Sequence, residues 1–236
     1  SAAVTVRSRT PVAATFFKNA AKAGKKLIIL DPRGQALSRH ATHMLQFKSG
    51  TDVALLNAIM NVIVTEKLYD PQYIEKYTDG FEALRAHLGP FTPEEMGPIC
   101  GIAPDMIRTV ARLYANANAS MIFWGMGISQ HIHGTDNARC LISLALMTGQ
   151  VGRLGTGLHP LRGQNNVQGA SDVGLIPMVY PDYRPVESED ARKVFEELWG
   201  VELDPKRGLT VVEIMNAILE GEIKGMYIMG ENAAMS

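Results

Sequence analysis

The chain has 236 residues with 23 basic and 24 acidic side chains, long enough to bury one large core or two small ones. That balance gives no reason to expect nucleic acid or an anionic membrane as partner, and no apolar run reaches the roughly eighteen residues of a membrane helix. Cys100 and Cys140 cannot build a disulfide framework, lack CxxC spacing and fit a reducing cytoplasm.

Thr10-Pro11 reads as an N-cap followed by proline at the first helical position, opening an alanine-rich helix to Ala23 that Gly24 ends. Leu27 to Leu30 is a short buried strand, stopped by Asp31-Pro32-Arg33-Gly34, because proline cannot continue a central strand. Ser49-Gly50-Thr51-Asp52 is a turn from which Thr51 caps a helix to about Lys67. Gly80 to Leu88 is helical. Thr92-Pro93-Glu94-Glu95 has capping-box spacing, with Glu95 reaching back to the Thr92 backbone N–H. Pro104 opens a helix to Ala115. Ser120 to Trp124 is a buried strand ending at Gly125-Met126-Gly127, and Thr135 to Met147 is a helix. Gly149 to Gly174 is rich in Gly, Asn and Gln without a clear period; a loop of that length is functional or disordered, and its apolar content and amide density favour an ordered binding loop. Ala191 to Trp199 is helical, as is Thr210 to Leu219, the latter with a Thr210/Glu213 capping box. Gly225 to Gly230 is the last strand, running into Glu231-Asn232.

Helix, strand and polar turn in succession is the rhythm of an α/β fold, in which ligands bind beyond the carboxyl ends of strands. Three such ends are nominated, at Asp31, Gly125 and Gly230. Asp31 suits either a ribose diol or a simple turn, because the G-x-G-x-x-G loop that would decide is absent. Arg162, with Gly163 and the amides Gln164, Asn165, Asn166 and Gln168 after it, offers a planar fork for a small carboxylate. His131 and His133 form an H-x-H pair without further ligands to complete a metal site.

The run Phe123-Trp124-Gly125-Met126-Gly127-Ile128-Ser129-Gln130-His131 resembles the large subunit of molybdenum- or tungsten-containing formate dehydrogenases, within the dimethyl sulfoxide reductase family. So do Leu161-Arg162-Gly163-Gln164-Asn165-Asn166-Val167-Gln168-Gly169-Ala170, the most specific match, and Tyr227-Ile228-Met229-Gly230-Glu231-Asn232. The resemblance covers nearly the whole chain from Pro11. It implies Rossmann-like three-layer αβα architecture, incomplete at both ends, with one cofactor-binding domain over 1–162 and part of a second over 163–236.

It also implies a bis(molybdopterin guanine dinucleotide) cofactor holding Mo or W. Asp31 and Arg33 would lie against one guanosine nucleotide, with Gly50, Thr51 and Asp52 nearby. Gly125, Met126, Gln130 and Gly163 would lie near the pterins, and Glu231 and Asn232 at the other nucleotide. Arg162 would orient formate. A 4Fe-4S cluster and the metal's Cys or selenocysteine ligand would belong upstream. Electrons would leave to iron–sulfur or NAD-reducing subunits, and the chain alone is expected to be inactive. The alternatives are an oxyanion reductase of the same family and a metal-free binding or structural homologue.

Overall fold

The computed structural model describes residues 11–230 apart from Arg162, Gln164 and Met229. The chain divides into two compact units, Ser1–Gly163 and Gln164–Ser236.

In the first unit, α1 (Pro11–Lys22) carries Lys22 in its last turn, where a cation suits the helix dipole. Gly24 takes the left-handed conformation that ends it (φ +84°); the Thr10 cap lies outside the described residues. β1 (Ile28–Leu30) pairs in parallel with β2 (His43–Leu45), Ile28 opposite His43 and Leu30 opposite Leu45.

The centre is α2 (Asp52–Thr65), buried at every position from Leu55 to Ile63. A helix buried all round must be enclosed by others. Packed on it are α4 (Phe81–Leu88), α5 (Pro93–Cys100), α6 (Pro104–Ala115) and α8 (Gly134–Met147). Leu55, Met60, Ile63, Leu88, Ile107 and Met147 fill the space between them. Buried polar atoms inside this core find partners: Asn61 Nδ2 donates to the Leu88 carbonyl at 2.9 Å, and the Cys140 thiol to Asn57 Oδ1 at 3.5 Å. Between α2 and α4, α3 (Pro71–Tyr77) is capped by Asp70, whose carboxylate accepts from the Tyr73 amide.

β3 (Met121–Trp124) leads through the short α7 (Met126–Ser129) and then α8 to β4 (Gly157–Pro160), which lies parallel beside β3. Parallel pairing requires a long crossover, which here is helical. The described strands thus form two parallel pairs, β1–β2 and β3–β4; the mixture of helix and strand is that of an α/β protein.

The second unit holds α9 (Val167–Asp172), α10 (Glu189–Trp199) and α11 (Val211–Leu219), and Ala191 and Phe195 of α10 form a small core with Tyr180 and Val186. Thr210 and Glu213 form the complete capping box: the Thr210 hydroxyl accepts from the Glu213 amide, and the Glu213 carboxylate accepts from the Thr210 amide.

Several expectations are corrected. Thr51 stands at the N-cap of α2, but its hydroxyl donates to the Lys48 carbonyl at 2.7 Å and leaves the helix amides alone. At Thr92 only half the box forms: its hydroxyl accepts from the Glu95 amide, and the return bond is not made. The stretch 149–174 is no continuous loop, since it contains β4 and α9. Residues 225–228 are unpaired, and Tyr227 is 88% exposed. A strand needs a neighbour for its ladder, and the described residues offer none there.

Candidate functional site

The carboxyl end of β3 and β4 gathers one group of candidates. Trp124 stands opposite Pro160, and the next amide, Leu161 N–H, donates to the Trp124 carbonyl at 2.6 Å. Gly125 continues in extended conformation before α7 turns away. Gly163 comes back against Met126, so that a Cβ at 163 would lie 2.9 Å from Met126 Cε and 3.0 Å from its sulfur. Gln130 Nε2 donates to that same sulfur at 3.4 Å. Gly125, Met126, Gln130 and Gly163 are therefore one cluster of soft apolar and amide groups.

Two contacts hold this turn. Asn137 Nδ2, buried, donates to the Ile128 carbonyl at 2.9 Å. Gly134 lies so close to the Ser129 carbonyl that a Cβ would sit 2.0 Å from its oxygen. The chain can reverse from α7 into α8 only because nothing projects there.

Asp52 opens α2 and is 4% exposed, yet its Oδ1 is buried without a hydrogen-bond partner. Burial raises its carboxyl above the ordinary value, and the charge of His131, one residue past Gln130, pulls in the opposite direction. That electrostatic link connects the Gly50-Thr51-Asp52 turn with the Gln130–His131 turn. Gly50 is left-handed (φ +82°), with open space where a side chain would project. Cys100 Sγ lies 3.8 Å from the Thr51 carbonyl, and burial pushes its thiol up, which leaves it inert.

Asp31 is fully buried at the end of β1 and holds its own turn. Oδ1 accepts from the Arg33 amide at 2.8 Å and Oδ2 from Gln35 Nε2 at 2.9 Å. The Arg33 guanidinium sits 3.8 Å from the same carboxylate and is largely exposed.

Arg162, Glu231 and Asn232 lie outside the described residues. Among the described residues no three His, Cys, Asp or Glu side chains form a metal-holding group, and His133 sits 3.9 Å from Asp136 instead. No helix among them is long and apolar enough to cross a membrane. Sequence reasoning placed Asp52 among the candidates, but its orphaned oxygen and its link to His131 arise from tertiary burial and leave no local signal.

Parallel strand pairs set among helices are those of an α/β protein. The chain belongs to the molybdopterin oxidoreductase family, whose profile matches residues 4–236. It is 43% identical over 226 residues to the F420-dependent formate dehydrogenase subunit alpha of Methanocaldococcus jannaschii, covering 96% of this chain and 33% of that protein. It is 41% identical over 223 residues to formate dehydrogenase H of Escherichia coli, covering 94% of this chain and 31% of that protein. The chain thus spans about a third of the length of these curated relatives. Among solved structures it is similar to acetylene hydratase from Pelobacter acetylenicus, with a TM-score of 0.56 and 30% identity over 58% of this chain and 19% of that one.

Proposed function

We propose that this chain is the cofactor-cradling middle of a formate dehydrogenase catalytic subunit, in a Rossmann-like three-layer setting. The observation that carries this reading is the Leu161–Trp124 bond. It holds Leu161, the residue before Arg162 in sequence, at the sheet end from which Gly125 also departs, in a chain similar to two formate dehydrogenases along nearly its whole length.

The buried, unpartnered Asp52 Oδ1 tests whether these residues fit a molybdopterin guanine dinucleotide. A desolvated carboxylate oxygen requires a donor, and the edge of guanine offers neighbouring N–H groups. The residues fit: Asp52, with Gly50 and Thr51, would hold one guanine, and Asp31 and Arg33 would shape the adjoining turn. Gly125, Met126, Gln130 and Gly163 would line the pterin side. Glu231 and Asn232 would serve a second nucleotide of a bis(guanine dinucleotide) cofactor. When bound, the Mo or W centre of that cofactor supplies the two-electron oxidation.

The protein supplies binding and orientation. Formate gives CO2, one proton and two electrons. The Arg162 guanidinium would hold the carboxylate by its planar fork and fix the C–H bond in one direction. The electrons would pass to a 4Fe-4S cluster elsewhere in the subunit and on to iron–sulfur or NAD-reducing partners in the cytoplasm.

The test is Arg162→Lys in the full-length enzyme at matched metal and pterin content. The charge remains and the fork is lost, so kcat/KM for formate is expected to fall about 100-fold. Unchanged kinetics at full metal loading would remove Arg162 from the site. A second reading, a family member with another substrate, is favoured by the likeness to a hydratase, because one fold hosts several chemistries. Turnover of another small substrate with none of formate would select it.

A further inference from the structure

Charge is balanced over the chain as a whole, with 23 basic and 24 acidic side chains, but not along it. Residues 11–50 hold seven lysines and arginines against a single acid, Asp31. That acid sits at the carboxyl end of β1, where the Arg33 amide and Gln35 engage it. Most of the cations gather elsewhere. Lys22 lies in the last turn of α1, Lys18 one turn before it on the same face, and Lys25 and Lys26 lead from Gly24 into Leu27. The Leu27 N–H donates to the Thr42 hydroxyl at 3.1 Å, and the Leu27 carbonyl accepts from the Thr42 N–H at 2.7 Å. This is the amino end of the β1–β2 pair, opposite the end at which Asp31 turns the chain. Arg39 lies on the 3₁₀ helix Ala36–His40, which packs against α1 just before the chain re-enters that edge at Thr42.

Lys22, Lys25, Lys26 and Arg39 are exposed, and Lys18 is half-buried. Among the described residues none of the five forms an ion pair; the Arg39 Nε–H donates to the Ala36 carbonyl at 2.9 Å. The negative end of the α1 dipole offsets about half a charge there, which leaves most of this positive charge without a counterpart. A surplus of one sign on one side of a protein draws oppositely charged surfaces toward it.

We propose that this edge is a docking surface for the acidic face of another protein. The cations are spread over a helix end, a strand entry and a neighbouring 3₁₀ turn, so they suit an extended array of carboxylates better than one small anion. Val12 and Phe16, four residues apart on the same helix, are 71% and 70% exposed. An apolar anchor beside a charged rim is the make-up of a protein interface. An anionic membrane fits less well, because a helix binds there through a free apolar face. The apolar face of α1 is already engaged: Ala13, Ala14 and Phe17 pack on Ile29 and Leu37. A nucleic acid presents chiefly phosphate and sugar, to which Val12 and Phe16 add nothing. The edge is the opposite one from the Asp31 turn, and the inference does not depend on the formate reading.

The test uses the full-length protein and a triple variant, Lys22→Glu/Lys25→Glu/Lys26→Glu. A control of equal net charge carries Lys76→Glu/Lys206→Glu/Lys224→Glu, at three other exposed lysines. The probes are poly-L-glutamate, vesicles of phosphatidylglycerol and duplex DNA at equal charge concentration. In about 0.05 M salt the edge variant is expected to bind poly-L-glutamate about tenfold more weakly than the parent and the control no more than about twofold, with the gap closing near about 1 M salt. Equal losses in the two variants, or tighter binding of the parent to vesicles or duplex than to poly-L-glutamate, overturn the proposal. A second measurement needs no variant. Carbodiimide couples lysine amines to carboxylates in direct contact, and is applied to the native assembly isolated from its source. Amide bonds from Lys22, Lys25 or Lys26 to Asp or Glu side chains of a different polypeptide are expected. Bonds confined to the same polypeptide, or none from these lysines, overturn the docking surface.

Discussion

Asp52 is the residue whose burial is hardest to explain by the protein alone. A raised carboxyl pKa means that the unfolded chain ionises more readily than the folded one. The group therefore destabilises the cofactor-free fold as pH rises from its ordinary value near 3.8 through its raised folded value, and the penalty persists at neutral pH. Asp52→Asn should remove it. The cofactor-free variant is expected to be more stable than the parent by about 1 kcal/mol at pH 7, with the difference vanishing near pH 3. Urea titrations across that range measure this directly; a variant less stable at pH 7 contradicts the assignment of Oδ1 as an unsatisfied acceptor. No reading of the sequence exposes such a residue, because Ser49-Gly50-Thr51-Asp52 looks like any helix-opening turn until the neighbours that bury it are known.

At the level of elements, legibility follows how local the determinants are. The helix Pro104–Ala115 and the Thr210/Glu213 box are written in adjacent residues, and both form as the spacing requires. The three-residue β2 and the Gly-Leu-His-Pro of β4 carry no periodic signal; they become strands because β1 and β3 lie beside them. Thr51 shows the limit of local rules, since a nearer acceptor at Lys48 takes its hydroxyl. Gly134 illustrates an element junction fixed by the absence of a side chain. Gly134→Ala puts a methyl 2.0 Å from the Ser129 oxygen, which only backbone movement can relieve. A loss of about 3 kcal/mol is expected, read as a lowered thermal midpoint, together with weaker protection of amides in α7. A neutral substitution would show that the reversal between α7 and α8 has more freedom than this close approach implies.

For the molecule as a whole, each unit encloses a core and leaves other apolar side chains open, Ile132 and Leu154 in the first among them. The first surrounds α2 on every side. The second leaves Val211, Val212 and Leu219 of α11 and the unpaired 225–228 segment open. Open apolar surface of this kind suits packing against other protein. The 236-residue chain is expected to bind a fluorescent apolar dye, and the full-length protein much less under the same conditions. Equal dye binding by both would mean that the apolar face stays bare. The mixed helix-and-strand class was legible from the sequence because it depends on the order of elements. The grouping of strands into pairs was not, because it depends on contacts across the crossovers. The β3–β4 pair has a kinetic consequence. Its two strands cannot meet until residues 125–156 have been drawn into a compact connection, and closing so long a loop costs entropy before any ladder bond repays it. The sheet end that carries Leu161 beside Trp124 is therefore a late arrival in folding, assembled on a helical core that must already exist.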